Sequence, residues 1–149
     1  MAREDWSDGA PPGFENVSGA FPEEITLDED SREAIVEHRS SMSEGERSDV
    51  DATIEELFDL LGRAHALSVL HEFATSPEPL RFGDLRNELS VSPNTLSARL
   101  DEFVQAGLLE RTEYDEVPPR VEYEPTDRAE ALFPIFGYVL FWAESNDLA

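Results

Sequence analysis

The sequence predicts a mainly α-helical chain with one small β-hairpin near its C-terminal end. Three observations carry this. Apolar residues recur at helical spacing through residues 53–106. After Gly107 two short segments flank a proline turn, and the second alternates Arg, Val, Glu, Tyr, Glu. A final apolar run, Ala131 to Ala143, is long enough for a helix.

The elements follow in order. Residues 1–50 are rich in Gly, Pro, Ser and acids, and low hydrophobicity with high net charge predicts a largely disordered extension. Within it, Asp30 to Arg39 reads as a short helix with Ser31 as N-cap and Ala34, Ile35 and His38 on one face. Asn16-Val17-Ser18 is a glycosylation sequon that means nothing without export. The ordered domain is expected over 51–149. A helix from Thr53 to Leu61 is capped by Asp51 or Thr53 and carries Ile54, Leu57, Phe58 and Leu61 as a stripe. Gly62 ends or bends it. Ala64 to Ala74 repeats the pattern with Leu67, Leu70 and Phe73. Ser76-Pro77-Glu78-Pro79 is a turn, Leu80 to Phe82 is extended, and a helix follows over 83–89.

A three-residue turn then leads to Ser92 as N-cap and Pro93 at the first helical position. The helix runs to Ala106 with Leu96, Leu100, Phe103 and Val104 inward, and Gly107 stops it. Strands are expected over 108–114 and 120–124. Thr126 or Asp127 caps a last helix over 127–146, where Pro134 bends it or sits in its first turn. Three helices, a second helix of a tight pair, a hairpin and a helix are the order of a winged helix-turn-helix.

Composition narrows the function. Among 149 residues are 11 basic and 34 acidic side chains, for a net charge of −23. Every base is Arg, and Lys and Cys are absent. Disulfides, thiolate zinc sites, cysteine redox sensing and a cysteine nucleophile are therefore excluded. The first residues have neither a basic region nor an apolar one, so no signal peptide is expected. No stretch approaches the roughly 18 apolar residues of a membrane span. A cytoplasmic protein without membrane contact is expected. Acid usually points away from nucleic acid. Here it is spread along the chain, net −13 over residues 1–56 and −10 over 57–149. With Lys and Cys absent, this resembles the proteome of a salt-in halophile. At molar salt the Debye length is about 3 Å, so the acidity describes the habitat more than the partner. An acidic tail and a nucleic-acid mimic are the competing readings.

The segments LFDLLGRAHALSVLHEF, LRFGDLRNEL, VSPNTLSARLDEFVQAGLLERTEYDEVPPRVEYEPT and ALFPIFGYVLFWAE resemble the HxlR family of winged-helix transcriptional regulators, relatives of the MarR type. RFGDLR (81–86), SPNTLSARL (92–100), AGLLER (106–111) and VPPRVEYEPT (117–126) carry the resemblance, which covers residues 56–145. It implies a homodimer that binds operator DNA through a recognition helix and a wing. The chain departs from the family where Gly-Gly-Lys-Trp is replaced by Leu61-Gly62-Arg63-Ala64, and where Thr-x-x-Gly becomes Thr126-Asp127-Arg128-Ala129. It also lacks the N-terminal Cys of thiol-sensing members, so no effector is implied.

A major groove about 12 Å wide admits one helix, and the first turns of that helix reach base edges. With Leu96 and Leu100 inward, Asn94, Thr95 and Ala98 point outward and Ser97 and Arg99 lie on the flanks. Asn suits adenine, Thr and Ala suit the thymine methyl, and Arg99 suits guanine or phosphate. Ser92 and the helix N-terminus suit phosphate. Helix capping alone would also explain Ser92, Asn94 and Thr95, and Arg99 has Glu102 and Glu110 as alternative partners. Asp101 and Glu102, past the first two turns, are expected to point away from the duplex. Pro119 and Arg120 mark a wing that reaches the minor groove or backbone, with Glu122 or Glu124 as the alternative partner of Arg120. Arg81 and Arg86 flank the first helix of the pair and suit phosphate; as surface ion pairs they would contribute little.

The last helix is apolar on too many faces for a small monomer. Leu132, Phe133, Phe136, Val139, Leu140 and Trp142 are therefore read as a dimer interface, assisted by Leu57. Enzyme signals are poor. His71-Glu72 begins a zinc-protease motif, but position 75 is Thr. His65 and His71, six apart, diverge on a helix and are read as partly buried. No cofactor or metal is expected. The sequence thus points to a sequence-specific DNA-binding regulator, a repressor acting as a homodimer on a pseudo-palindromic site. The alternative is a winged-helix interaction module that has lost DNA binding.

Overall fold

The computed structural model describes residues 29–148. The expectations for residues 1–27, including the sequon, lie outside the described residues. Residues 29–63 and residues 64–148 form two compact units, so the division falls at Arg63/Ala64 and not at residue 50.

The first unit is a pair of helices, α1 (Glu29–Ser41) and α2 (Glu44–Leu61). Ser31 lies inside α1, not at its cap. Helix α2 starts well before Thr53 because Ser43 and Glu46 form a capping box. The Glu46 N–H donates to Ser43 Oγ at 3.2 Å, and the Ser43 N–H donates to Glu46 Oε2 at 2.7 Å. That N–H holds the Glu46 carboxyl below its ordinary range. Thr53 caps nothing; its hydroxyl donates to the Asp49 carbonyl at 2.9 Å within the helix. Asp51 is likewise an interior residue, and both its oxygens accept from Arg39 at 2.8 and 2.9 Å. The hydrogen bond from Arg39 keeps the Asp51 carboxyl below its ordinary range, so the pair is intact at neutral pH and is lost only as pH falls through that lowered value. No residue of α2 is buried: Ile54 and Phe58 are exposed, and Leu57 and Leu61 are half-buried.

The second unit holds α3 (Ala66–Thr75), β1 (Leu80–Arg81), α4 (Phe82–Glu88), α5 (Pro93–Gln105), β2 (Leu109–Tyr114), β3 (Arg120–Pro125), α6 (Asp127–Glu130) and α7 (Phe133–Ser145). It is mainly helical with a small sheet, a winged helix-turn-helix. The extended segment 80–82 resolves into β1 and the start of α4. Strand β1 joins the hairpin as a third strand, giving the antiparallel order β1-β3-β2. Arg81 lies opposite Glu122, and Tyr114 lies opposite Arg120.

The core is built from α3 (Ala66, Val69, Leu70, Phe73), Leu85 of α4, α5 (Leu96, Leu100, Phe103), Leu108, Leu109, Tyr123, Ala129, Phe133 and Phe136. Leu67, expected inward, is 46% exposed, and Ala66 and Val69 take the inner positions. The last helix is two pieces, not one. A continuous helix would need an N–H at Pro134 to meet the Glu130 carbonyl, and proline has none. The chain therefore turns at Ala131-Leu132 and restarts with Pro134 in the first turn of α7.

One junction sets the wing against α5. Gly107 takes φ +71°, a left-handed conformation, and the Leu108 N–H reaches the Phe103 carbonyl at 2.9 Å while the Gly107 N–H reaches Val104 at 3.1 Å. The Thr126 hydroxyl donates to the Gly107 carbonyl at 2.7 Å, and the same oxygen accepts from the Ala129 N–H at 3.3 Å. The Thr126 N–H donates to the Leu108 carbonyl at 3.0 Å, and Arg128 donates to the Ala106 carbonyl at 3.0 Å. Thr126→Val keeps the volume and removes the hydroxyl, leaving a cap and a part-buried carbonyl without their partner. It is expected to cost about 1–2 kcal/mol in urea unfolding, and an unchanged midpoint would contradict this role for the junction.

Candidate nucleic-acid interface

Helices α4 and α5 are joined by residues 89–92, with Leu85 and Leu96 both in the core. At the start of α4 the Arg81 N–H donates to Asp84 Oδ2 at 2.8 Å. At the start of α5, Ser92 Oγ accepts from the Thr95 N–H at 3.3 Å and donates to Thr95 Oγ1 at 2.9 Å. The Ser92 hydroxyl thus caps α5, and the Thr95 hydroxyl accepts a hydrogen bond from it.

The outward stripe of α5 is Asn94, Ser97, Asp101 and Gln105, all exposed. This differs from the expectation in two ways. Ser97 lies on the stripe itself, while Thr95 and Ala98 are half-buried at its edge. Asp101 does not turn away: the 3- and 4-residue spacings place it on the same face as Asn94, about one turn beyond Ser97. Arg99 leaves the stripe altogether. Its side chain is only 14% exposed and pairs with Glu102 at 3.3 Å.

The outer face of the sheet carries Arg81 and Arg120. Arg120 lies over the Tyr114 ring, 4.1 Å from its centroid. Its Nη2 is 3.4 Å from Glu116, and its Nε is 3.5 Å from Glu122 Oε1. Arg81 Nε approaches the same Glu122 Oε1 at 3.8 Å. Arg86, in the last turn of α4, is exposed and has no ion-pair partner among the described residues. At the wing tip Val117, Pro118 and Pro119 are exposed, flanked by exposed Asp115 and Glu116. Sequence reasoning missed Tyr114 and Glu116. The signal was available: a five-residue connection, 115–119, puts residues 114 and 120 opposite each other.

Of the interface residues expected on the last helix, Phe133 and Phe136 are buried in the chain's own core, their rings 6.0 Å apart. Leu132 is half-buried. Val139, Leu140 and Trp142 are exposed, together with Ile135 and Tyr138. Leu57 belongs to the other unit. His65 and His71 are exposed, contrary to the expectation of partial burial. Among the described residues, no cluster of three or more His, Asp or Glu is placed to hold a metal ion, and no helix is long and apolar enough to cross a membrane.

The order of elements and the α4–α5 pair are those of a DNA-binding regulator, and residues 60–148 match the model of the HxlR-like helix-turn-helix family. The chain belongs to that family. An HTH-type transcriptional regulator of Halalkalibacterium halodurans is 35% identical over 88 residues, covering 58% of this chain and 77% of that protein. The YdzF regulator of Bacillus subtilis is 29% identical over 92 residues, covering 61% and 84%. Among solved structures, the reduced regulator YodB of B. subtilis has a TM-score of 0.56 at 28% identity, covering 64% of this chain and 96% of that one. The redox regulator HypR in its oxidised form has the same TM-score and identity, covering 65% and 99%. The family and these relatives are transcriptional regulators, not enzymes. This HxlR-like chain has no cysteine for thiol chemistry. Helix α1 and most of α2 lie before the matched segment.

The outer sheet face also sets Glu110 directly opposite Glu124, both exposed. Like charges paired across strands are destabilising. Glu124→Gln is expected to raise stability by roughly 0.2–1 kcal/mol at low salt. The gain should vanish in about 1 M KCl, where the Debye length is near 3 Å. A gain that persists unchanged in high salt would rule out charge repulsion as its origin.

Proposed function

We propose that this HxlR-like protein is a homodimeric, sequence-specific DNA-binding repressor acting on a pseudo-palindromic operator. The observation that carries the reading is the outward stripe on the first turns of α5. Asn94 and Ser97 are exposed and Thr95 and Ala98 flank them, on a helix fixed by three core residues. Asn94 pairs with adenine, and the Thr95 and Ala98 methyl groups meet thymine. Ser92 and Arg86 meet phosphate; Arg81, Pro119 and Arg120 place the wing. Arg99 reaches DNA only by leaving Glu102.

The dimer reading rests on α7. Leu140 falls on the same helical face as Phe133 and Phe136, yet is 44% exposed, and Trp142 is 48% exposed. The helix runs past the edge of its own core. A second copy covering Val139, Leu140 and Trp142 supplies what that core lacks, with Leu132 at the margin. Leu57 enters the same reading through the separate stripe on α2. Two-fold symmetry then spaces the half-sites about 34 Å apart.

Asp101 on the outward stripe favours the second reading, an interaction module without DNA. Selection of bound duplexes from a random-sequence pool, in KCl from low to molar, separates the two. A symmetric motif is expected, with Asn94→Ala weakening binding about 10- to 100-fold and relaxing one position per half-site. Arg86→Ala should weaken all sequences alike. No enriched duplex from a folded protein would favour the interaction module. By sedimentation, the parent chain is expected to be a dimer and Trp142→Asp a monomer; a variant that stays dimeric would remove α7 from the interface.

A further inference from the structure

Three of the four cations of the proposed DNA face are not free. Arg120 is held on three sides, by the Tyr114 ring, Glu116 and Glu122. Arg81 shares the same Glu122 oxygen. Arg99 is paired with Glu102. Glu122 stands on the central strand β3, with β1 on one side and β2 on the other, and its side chain is only 19% exposed. One carboxylate oxygen therefore ties the residue before α4 to the base of the wing.

We infer that Glu122 is a positioning residue for DNA binding, and that the chain binds DNA by exchanging arginine–carboxylate pairs for arginine–phosphate pairs. This inference rests on the DNA-binding reading above and specifies how that surface responds to salt. When Arg81 and Arg120 turn to phosphate, Glu122 and Glu116 lose their counter-charges beside a polyanion. Cations from solution must then take the place of the arginines. Their uptake offsets the cations that DNA releases.

The consequence is a shallow salt dependence. In each protomer of the dimer four arginines, at positions 81, 86, 99 and 120, would contribute about −3.6 per half-site to the slope of log affinity on log salt if each simply neutralised a phosphate. A fourfold rise in KCl would then weaken the contribution of each half-site about 150-fold. Of these four, Arg86 alone lacks a carboxylate partner among the described residues, so the slope is about −0.9 per half-site and the same rise weakens that contribution about 3.5-fold. Before binding, Glu122 also holds Arg81 and Arg120 at a common height on the sheet face. Neutralising Glu122 removes the partner of Arg81 and one of two partners of Arg120.

The test uses the full chain and a duplex enriched by the selection above, with affinity of the dimer measured over a fourfold range of KCl and the slope halved to give the value per half-site. The parent protein is expected to give a slope near −1, and Glu122→Gln a slope steeper by one to two units, with tighter binding at the low-salt end. Glu113→Gln makes the same charge change on the opposite face of the sheet, where Glu113 pairs with Arg111, and should leave the slope unaltered. Thermal unfolding of each variant verifies the fold. If Glu122→Gln does not fold, Glu116→Gln on the exposed turn carries the test, with a steepening of about one unit expected. A parent slope near −3.6, or variants with the parent slope, would overturn the inference while leaving the protein a DNA-binding regulator. Failure of the parent to bind any duplex would instead overturn the DNA reading and this inference with it. A Glu122 that only braced the sheet would change the melting temperature and not the slope.

Discussion

The Thr126 hydroxyl reaches back nineteen residues to the carbonyl of Gly107, and the placement of the wing against α5 depends on that contact. Gly107 turns the chain out of α5 in a left-handed conformation that a side chain would strain, and an added Cβ would also lie 3.2 Å from Arg128. Leu108 and Leu109 then enter the core and start the wing. After the hairpin the chain returns to the same point. There Thr126 caps α6 and closes the Gly107 and Leu108 carbonyls. Helix α5 and the wing are thus fixed relative to each other by a few hydrogen bonds at one corner. The family's Thr-x-x-Gly pattern survives here as Thr126 alone. Only the threonine is needed for this corner, which explains why Ala129, fully buried, is tolerated in place of the glycine.

A second constraint is the shortage of cations. Residues 57–149 contain seven arginines and seventeen acids, and three of the four arginines proposed for DNA contact lie within reach of a carboxylate, Arg86 being the exception among the described residues. The structure uses this shortage in two ways. Arg128 donates to the Ala106 carbonyl at the end of α5, where a cation complements the helix dipole. Arg81, Arg99 and Arg120 are held by glutamates at the margins of the proposed DNA surface. An acidic protein can bind a polyanion on these terms only if the direct contacts of α5 carry much of the affinity. Counterion release, the usual sequence-independent driver, is weakened by the same glutamates.

How much of this was legible in the sequence depends on the range of the interaction. Helix α5 was legible almost to the residue, because Ser92, Pro93 and Gly107 are local signals and Leu96, Leu100 and Phe103 keep helical spacing. The hairpin was legible from its proline turn. The start of α2 was missed although Ser43-x-x-Glu46 is also a local signal; the acidic composition around it argued for disorder. Which face of α5 points out was only partly legible, since it depends on the angle at which α5 packs, and that angle moved Ser97 and Asp101 outward and drew Arg99 in. The pairing of Glu122 with Arg120 was legible as an alternative, but the third strand and the reach of Glu122 to Arg81 were not. Both follow from β1 pairing with β3 across forty residues of chain, and no local pattern encodes that register.

The last helix shows why a small domain of this kind should assemble. Its first turn is fixed by Pro134, and Phe133 and Phe136 fill the remaining space over α3. Beyond Gly137 no described side chain is buried, but the helix continues for two further turns that carry the exposed apolar residues Tyr138, Val139, Leu140 and Trp142. Shortening the helix would lose little that this chain buries by itself. Retaining it leaves Val139, Leu140 and Trp142 in water at a cost of about 25 cal/mol for each Å² of apolar surface. The proposed second copy would remove that cost, and the two-fold axis it would create would turn one recognition helix into a reader of paired half-sites. On this proposal assembly and DNA reading are one property: the surface the monomer fails to bury would be the surface that sets the spacing of an operator.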